Sequence, residues 1–315
     1  MADSFATDIL TGLQQKPKVL SSKYFYDESG SELFKAIMQL PEYYLTNSEF
    51  EILSTYKNQF LELFQDQAMP FELIEFGAGD GLKTKLLLSH FTEEKADFTY
   101  CPIDISATAL EELADDLAQT IPNLKVKPIN GDYFSAFDQL NQDSKTRKVV
   151  LFLGSNIGNF KNQDAVDFLK ALRQLLNPGD LLVMGYDLKK HPQVILNAYN
   201  DSSGITKAFN LNLLQRINER LGSDFDLSKF DHYPIYDPEK GEARSYIVSM
   251  AKQQISFKDS DLTIDFEWGE VIHTEISRKY DVEEMATVAE KSGYEPVQHF
   301  FDSKHYFTDS VWKAN

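Results

Sequence analysis

A chain of 315 residues, 42% hydrophobic and 25% charged, has the length for one large domain or two medium ones and the composition of a soluble globular enzyme. Its 31 basic and 49 acidic side chains leave a net charge of -18, which argues against nucleic acid or an anionic membrane as a partner. Cys101 is the only cysteine, so neither an internal disulfide nor a multi-cysteine metal site can form. The first twenty residues carry no basic flank and no continuous apolar run, and no stretch approaches the ~20 apolar residues of a membrane span. The expectation is a cytoplasmic, monomeric protein.

In chain order, Phe71-Glu72-Leu73-Ile74-Glu75-Phe76 reads as a strand ended by glycines, and 82–91 follows with helical spacing. Residues 98–104 read as a second strand. A helix over 106–120 has Ser106 as its N-cap and Leu110, Leu113 and Leu117 on one stripe. Strands are expected at 124–129, 149–153 and 181–185, with a helix over 165–176 closed by Asn177-Pro178-Gly179. This alternation implies parallel strands joined by right-handed crossovers, a doubly wound α/β sheet.

After about residue 190 the pattern changes. A helical stretch at 210–221 leads into β-rich runs at 244–257 and 262–277, with Pro238-Glu239-Lys240-Gly241 as a hairpin turn before the first. Helical spacing returns at 282–292, and the chain ends in two runs, 297–301 and 305–308, around a short turn. A helix followed by an antiparallel hairpin is how many S-adenosylmethionine-dependent methyltransferases complete their sheet.

Three features point to a nucleoside ligand. Gly77-Ala78-Gly79-Asp80-Gly81 follows the first strand, where glycines let the backbone approach a ligand at the carboxyl ends of the strands. The dinucleotide fingerprint needs a third glycine where Leu82 stands. Asp104 ends the second strand, where a carboxylate accepts from both ribose hydroxyls. Gly131-Asp132-Tyr133 follows the third, where Asp132 can accept from an adenine amino group with Tyr133 beside the ring. Each alone can also be a plain turn or helix cap; together they match the methyltransferase version of the fold. Lys83 either pairs with the cofactor's carboxylate or is a solvated helix lysine.

Four groups of segments carry a family resemblance: Tyr26-Asp27-Glu28-Ser29-Gly30-Ser31 with Leu40-Pro41-Glu42-Tyr43-Tyr44-Leu45-Thr46; Gly154-Ser155-Asn156-Ile157-Gly158-Asn159-Phe160; Phe209-Asn210-Leu211-Asn212; and Thr274-Glu275-Ile276-Ser277-Arg278-Lys279-Tyr280. Together they resemble the histidine-specific Nα-methyltransferases of ergothioneine biosynthesis, from about residue 20 to the C-terminus. The resemblance implies a Rossmann-like class I methyltransferase sheet with an antiparallel C-terminal hairpin, expected at 48–189 and 280–315. It also implies an α+β substrate domain, expected at 1–47 and 190–279. The implied reaction is three methyl transfers from S-adenosylmethionine to the α-amine of histidine, giving hercynine and S-adenosylhomocysteine.

Carried over position by position, Gly77, Lys83, Asp104 and Asp132 match cofactor-binding positions, with Gly79 and Tyr133 in the same loops and Tyr26 beside the cofactor. Tyr43, Asn159 and Tyr199 match the group holding the amino acid's backbone end, next to Gly154, and Tyr43 and Asn159 are the expected catalytic pair. Glu275 and Ser277 match the pair that holds the imidazole; a carboxylate meeting an imidazole N–H selects histidine because a buried unpaired carboxylate is costly.

Ser249 aligns with a pocket position where the family's histidine enzymes carry methionine, so another amino acid such as tryptophan stays in view. A non-catalytic sensor of S-adenosylmethionine or an amino acid is the alternative of a different class. The histidines, at 90, 191, 232, 273, 299 and 305, form no metal-binding spacing, and no metal is expected.

Overall fold

The computed structural model describes residues 4–65, 70–131, 146–258 and 262–315. The chain divides into two compact units, Met1–Tyr44 with Lys190–Arg278 and Leu45–Lys189 with Lys279–Asn315. The first unit opens with α1 (Ser4–Gln14), β1 (Lys18–Val19) and α2 (Glu28–Ile37). The second takes over within α3 (Tyr44–Phe64) and alternates β2 (Phe71–Phe76), α4 (Thr84–Glu93), β3 (Phe98–Asp104), α5 (Ala107–Thr120), β4 (Ile129–Asn130), β5 (Arg147–Phe152), α6 (Asn162–Gln174) and β6 (Leu181–Asp187). The chain returns to the first unit for α7 (Pro192–Tyr199), α8 (Ile205–Leu221), β7 (Phe230–Asp237), β8 (Glu242–Ser249), β9 (Gln253–Ser256), β10 (Thr263–Phe266) and β11 (Val271–Arg278). It ends in the second with α9 (Val282–Ser292), β12 (Tyr294–Phe301) and β13 (Phe307–Ala314).

The second unit is built on a seven-stranded sheet ordered β12-β13-β6-β5-β2-β3-β4. Its strands from β6 to β4 are parallel, and β13 runs antiparallel between β6 and β12. β5 and β6 read as near-continuous apolar runs because helices cover both faces of such a sheet. Ile74, Val150, Leu182 and Met184 from the strands meet Leu169 and Leu172 of α6 and Met285 of α9 in one core. Ser106 caps α5, its hydroxyl accepting from Ala109 N at 3.2 Å, and Leu110, Leu113 and Leu117 are buried. Asp281 and Glu284 form a reciprocal capping box on α9, which stops at Gly293 in the left-handed region.

Two expected strands differ in extent and a third strand was not expected. The run at 124–129 forms only Ile129–Asn130, with Val126 bridging Tyr100; Pro128 has no N–H to extend the ladder. The last run extends over Phe307–Ala314, because Asp309 and Ser310 are fully buried polar residues inside a strand and break the apolar pattern. β7 was not legible: Pro234 lies within it, which an edge strand tolerates.

The first unit has a four-stranded sheet, β1-β11-β8-β7, and a two-stranded ribbon of β9 and β10. α8 lays Phe209, Leu213 and Ile217 into a core with Ile247 of β8, Ile272 of β11 and Phe25. Asp27 caps α2, accepting from Gly30 N at 2.7 Å, and also accepts from Asn212 Nδ2 at 2.9 Å. Two of the family-like segments are thereby joined: the start of α2 is pinned to α8.

Candidate active site

In the second unit the strand order reverses at β2, which lies between β5 and β3; in open α/β sheets that switch point leaves a crevice at the carboxyl ends of the strands. Both loop motifs lie there. Gly77, Gly79 and Gly81 all have left-handed φ, 66°, 54° and 64°, and turn the chain from β2 into α4. Asp104 ends β3. Its Oδ1 accepts from Ser106 N at 2.9 Å and its Oδ2 from Gly79 N at 3.4 Å, while Asn130 Nδ2 donates to the Asp104 carbonyl at 3.0 Å. Beside it, Ile105 is 78% exposed. Asp132 and Tyr133 lie outside the described residues.

The second loop leaves β5 through Gly154 (φ 75°) and Ser155 (φ 57°) into a 3-10 turn, Asn156–Asn159. Ser155 Oγ accepts from Asp187 N at 3.0 Å, Asn156 Nδ2 donates to Leu153 O at 2.9 Å, and Gly154 N donates to Glu49 Oε1 at 2.7 Å. Asn159 stands exposed at the end of the turn. It does not cap the following helix, whose N-cap is Lys161.

Lys83 is largely buried and ion-paired with Glu49. Burial works against its charge, but Glu49, with Asp309 and Glu75 beyond, more than offsets this and holds the ammonium above its ordinary range. Asp309 is fully buried; that burial and the Glu49 charge push its carboxyl well up. Burial raises Glu75 to about 7, although Thr84 Oγ1 donates to it at 2.6 Å and the Tyr100 hydroxyl donates as well.

In the first unit, Tyr26 and Tyr43 flank Phe34, with ring centroids 5.5 and 6.2 Å away, and Phe34 packs on Phe209 of α8 at 5.8 Å. Tyr199 is buried at the end of α7. The placement of Glu275 depends on a bulge. Ile272 opposes Ile247 and His273 opposes Tyr246, but the register then shifts so that Glu275, not Thr274, opposes Ser245. An unbroken ladder would put Glu275 opposite Arg244, on the other face; the extra residue turns it to the face of Ser245 and Ile247, which packs on α8. Ser245 Oγ donates to Glu275 Oε2 at 3.4 Å, and Ser277, opposite Ala243, shares that face. Thr274 Oγ1 lies 3.0 Å from Ser245 O and 3.2 Å from Asn210 Oδ1, tying the bulge to α8.

A family model described as "Histidine-specific methyltransferase, SAM-dependent" matches residues 5–314. The chain belongs to that family. It is 32% identical over 308 residues to a histidine N-alpha-methyltransferase of Mycolicibacterium smegmatis, covering 98% of this chain and 92% of that one. The corresponding enzyme of Mycobacterium tuberculosis is 32% identical over 295 residues, covering 94% and 90%. Ergothioneine biosynthesis protein 1 of Schizosaccharomyces pombe is 30% identical over 287 residues, 89% of this chain but 37% of that longer protein. As a member of the histidine-specific methyltransferases, the chain is an enzyme that uses S-adenosylmethionine as methyl donor and releases S-adenosylhomocysteine.

Of the sequence-predicted residues, Gly77, Gly79, Lys83, Asp104, Gly154 and Asn159 lie in the second unit, and Tyr26, Tyr43, Tyr199, Ser249, Glu275 and Ser277 in the first. Ser249 stands apart from the Glu275 group. It is fully buried four residues along β8 from Ser245, about 13 Å at strand rise, its hydroxyl donating to Ala251 O and accepting from Gln253 Nε2, both at 2.8 Å. Sequence reasoning overlooked Glu49, Asp309 and Ser245. Glu75 did leave a signal, as one of two acids, with Glu72, in a strand whose other residues are apolar; Glu49 left none beyond its place three residues after a family-like segment.

Proposed function

We propose that this methyltransferase acts on the α-amino group of histidine, adding three methyl groups to give hercynine on the way to ergothioneine. The observation that carries the substrate reading is the bulge that brings Glu275 beside Ser245 and Ser277, since a substrate side chain that bears an N–H, as an imidazole does, repays a carboxylate kept partly from water. Family membership supports it.

The residues present fit the donor. Asp104 keeps acceptor capacity after its two backbone bonds and suits two ribose hydroxyls. The exposed Ile105 beside it offers an apolar face for a purine, and the open backbone at Gly79 admits close approach. Lys83 supplies a cation for the amino-acid carboxylate of the donor; Asp132 and Tyr133 are assigned to the adenine by resemblance. When bound, S-adenosylmethionine supplies an electrophilic methyl group on sulfur. The chain's task is then to hold a neutral amine in line with that methyl, so positioning contributes most of the acceleration. Tyr43, Tyr199 and Asn159 are neutral hydrogen-bonding groups suited to this. A strong acid there would stabilise the ammonium and withhold the lone pair.

Cys101, buried in the sheet and the only cysteine, supports a reducing compartment such as the cytoplasm. The test is mass spectrometry of reactions with S-adenosylmethionine and each amino acid separately. A product three methylene equivalents heavier than histidine, about 42 mass units, is expected. Trimethylation of tryptophan would overturn histidine as the substrate, trimethylation of an amino acid without a side-chain N–H would overturn the Glu275 assignment, and ligand binding without any methylated product would overturn catalysis.

A further inference from the structure

Three acids surround Lys83 beneath the glycine loop, and the family-like motifs give none of them a role. Glu49 comes from α3, Asp309 from β13 and Glu75 from β2, and all three are buried. We propose that Glu49 is a positioning residue of the donor site, a single carboxylate that holds the Lys83 ammonium with one oxygen and the backbone amide of Gly154 with the other. The inference rests on the assignment of Lys83 to the donor's carboxylate.

The geometry is specific to Glu49. Its Oε2 pairs with Lys83 Nζ and its Oε1 accepts from Gly154 N at 2.7 Å, so one side chain joins the start of α4 to the loop that carries Asn159. Space for this carboxylate is built into β6: a Cβ on Gly185 would lie 2.5 Å from Glu49 Oε1 and 3.1 Å from Gly154 N. Asp309 opposes Gly185 across the β6–β13 ladder, beside Glu49. Two buried carboxylates so close cannot both ionise cheaply, so Asp309 keeps its proton and Glu49 carries the charge opposite the lysine. An ammonium has three donors, and Lys83 is not sealed from solvent; it can keep Glu49 and take a second anion.

Glu49 therefore keeps Lys83 charged where burial would otherwise drive it toward the neutral amine. The experiment uses the whole chain and measures calorimetric affinity for S-adenosylhomocysteine and for its decarboxylated analogue, near pH 7 and near pH 9.5. Glu49→Gln preserves an acceptor for Gly154 N–H but removes the charge. Combined with Asp309→Asn, it also prevents Asp309 from ionising in its place; Glu75 is the one acid left facing Lys83 among those named. The expected result is about tenfold weaker binding of S-adenosylhomocysteine at the higher pH relative to wild type, with little change for the decarboxylated analogue. Lys83→Arg in that background restores the affinity, because a guanidinium stays charged.

Equal weakening for both ligands at both pH values would make Glu49 a merely structural pair for α3 and overturn the proposal, as would wild-type affinity throughout. Lys83→Met separates the two levels. If it leaves the preference for the carboxylate-bearing ligand intact, the Lys83 assignment fails. If it abolishes that preference while the Glu49 variants bind as wild type does, only the role of Glu49 fails.

Discussion

Buried polarity is handled in opposite ways around Lys83 in the second unit and around Glu275 in the first, although the first unit also holds a buried lysine, Lys18, paired with Glu270. In the second, charges are sunk into the sheet and answered by other charges: Lys83 by Glu49, and Lys279 by Asp187 at 2.8 Å with neither side chain exposed. In the first, Glu275 is only partly buried and accepts from the hydroxyl of Ser245, while Thr274 and Asn210 bond each other at the bulge beside it. A buried ion pair fixes the position of a permanent charge but is costly to break, which suits a site that must always present a cation. A carboxylate steadied by hydroxyls keeps acceptor capacity for an incoming N–H, which suits selection of a substrate.

The largest effect expected is from Asn159→Ala in the second unit: a fall in turnover of about a hundredfold with S-adenosylhomocysteine affinity within twofold of wild type, read by steady-state kinetics and calorimetry. Tyr43→Phe in the first unit should act in the same sense. If either instead weakens donor binding and spares turnover, the assignment of the amino-acid site is wrong. Next comes Glu275→Ala, expected to raise the KM for histidine about thirtyfold while sparing donor affinity; equal histidine binding by variant and wild type would remove this carboxylate from the site.

Gly185→Ala sharpens the contrast from the side of stability. A methyl forced against Glu49 and Gly154 should cost about 1–3 kcal/mol in denaturant unfolding, and a melt unchanged from wild type would show that the carboxylate has room to move. The smallest effect is expected from Ser249→Ala. Because the Ser249 hydroxyl is bonded inside β8 and its turn, removing it should lower stability by about 1 kcal/mol and leave the amino-acid preference unchanged. A shift toward larger amino acids would return Ser249 to the pocket.

A pH experiment distinguishes the second unit further. The carboxyl of Glu75 is raised from 4.5 to about 7, so the folded state holds its proton more tightly than the unfolded chain does. Its contribution to stability is present below about pH 4.5 and is lost as pH rises through about 7. Stability measured across that window should fall less with rising pH in Glu75→Gln than in wild type, and identical slopes would refute the shift.

Much of this protein is legible in its sequence, and the reason is local. Ser106 with its leucine stripe, the helical spacing that follows Asp281 and the glycines after β2 act within a few residues of themselves, so their consequences can be read from spacing. The loop ends that suit a nucleoside, and the segments that mark the family, are equally visible. What the sequence does not disclose depends on residues far apart in the chain. Glu49 and Gly154 lie 105 positions apart, and Asp309 reaches the same place only because β13 inserts beside β6. The face on which Glu275 stands is decided by one unpaired residue in a ladder, since a shift of a single position reverses every side chain beyond it. Chemistry is written in residue types and spacing, whereas the partners of each buried charge are decided by packing alone.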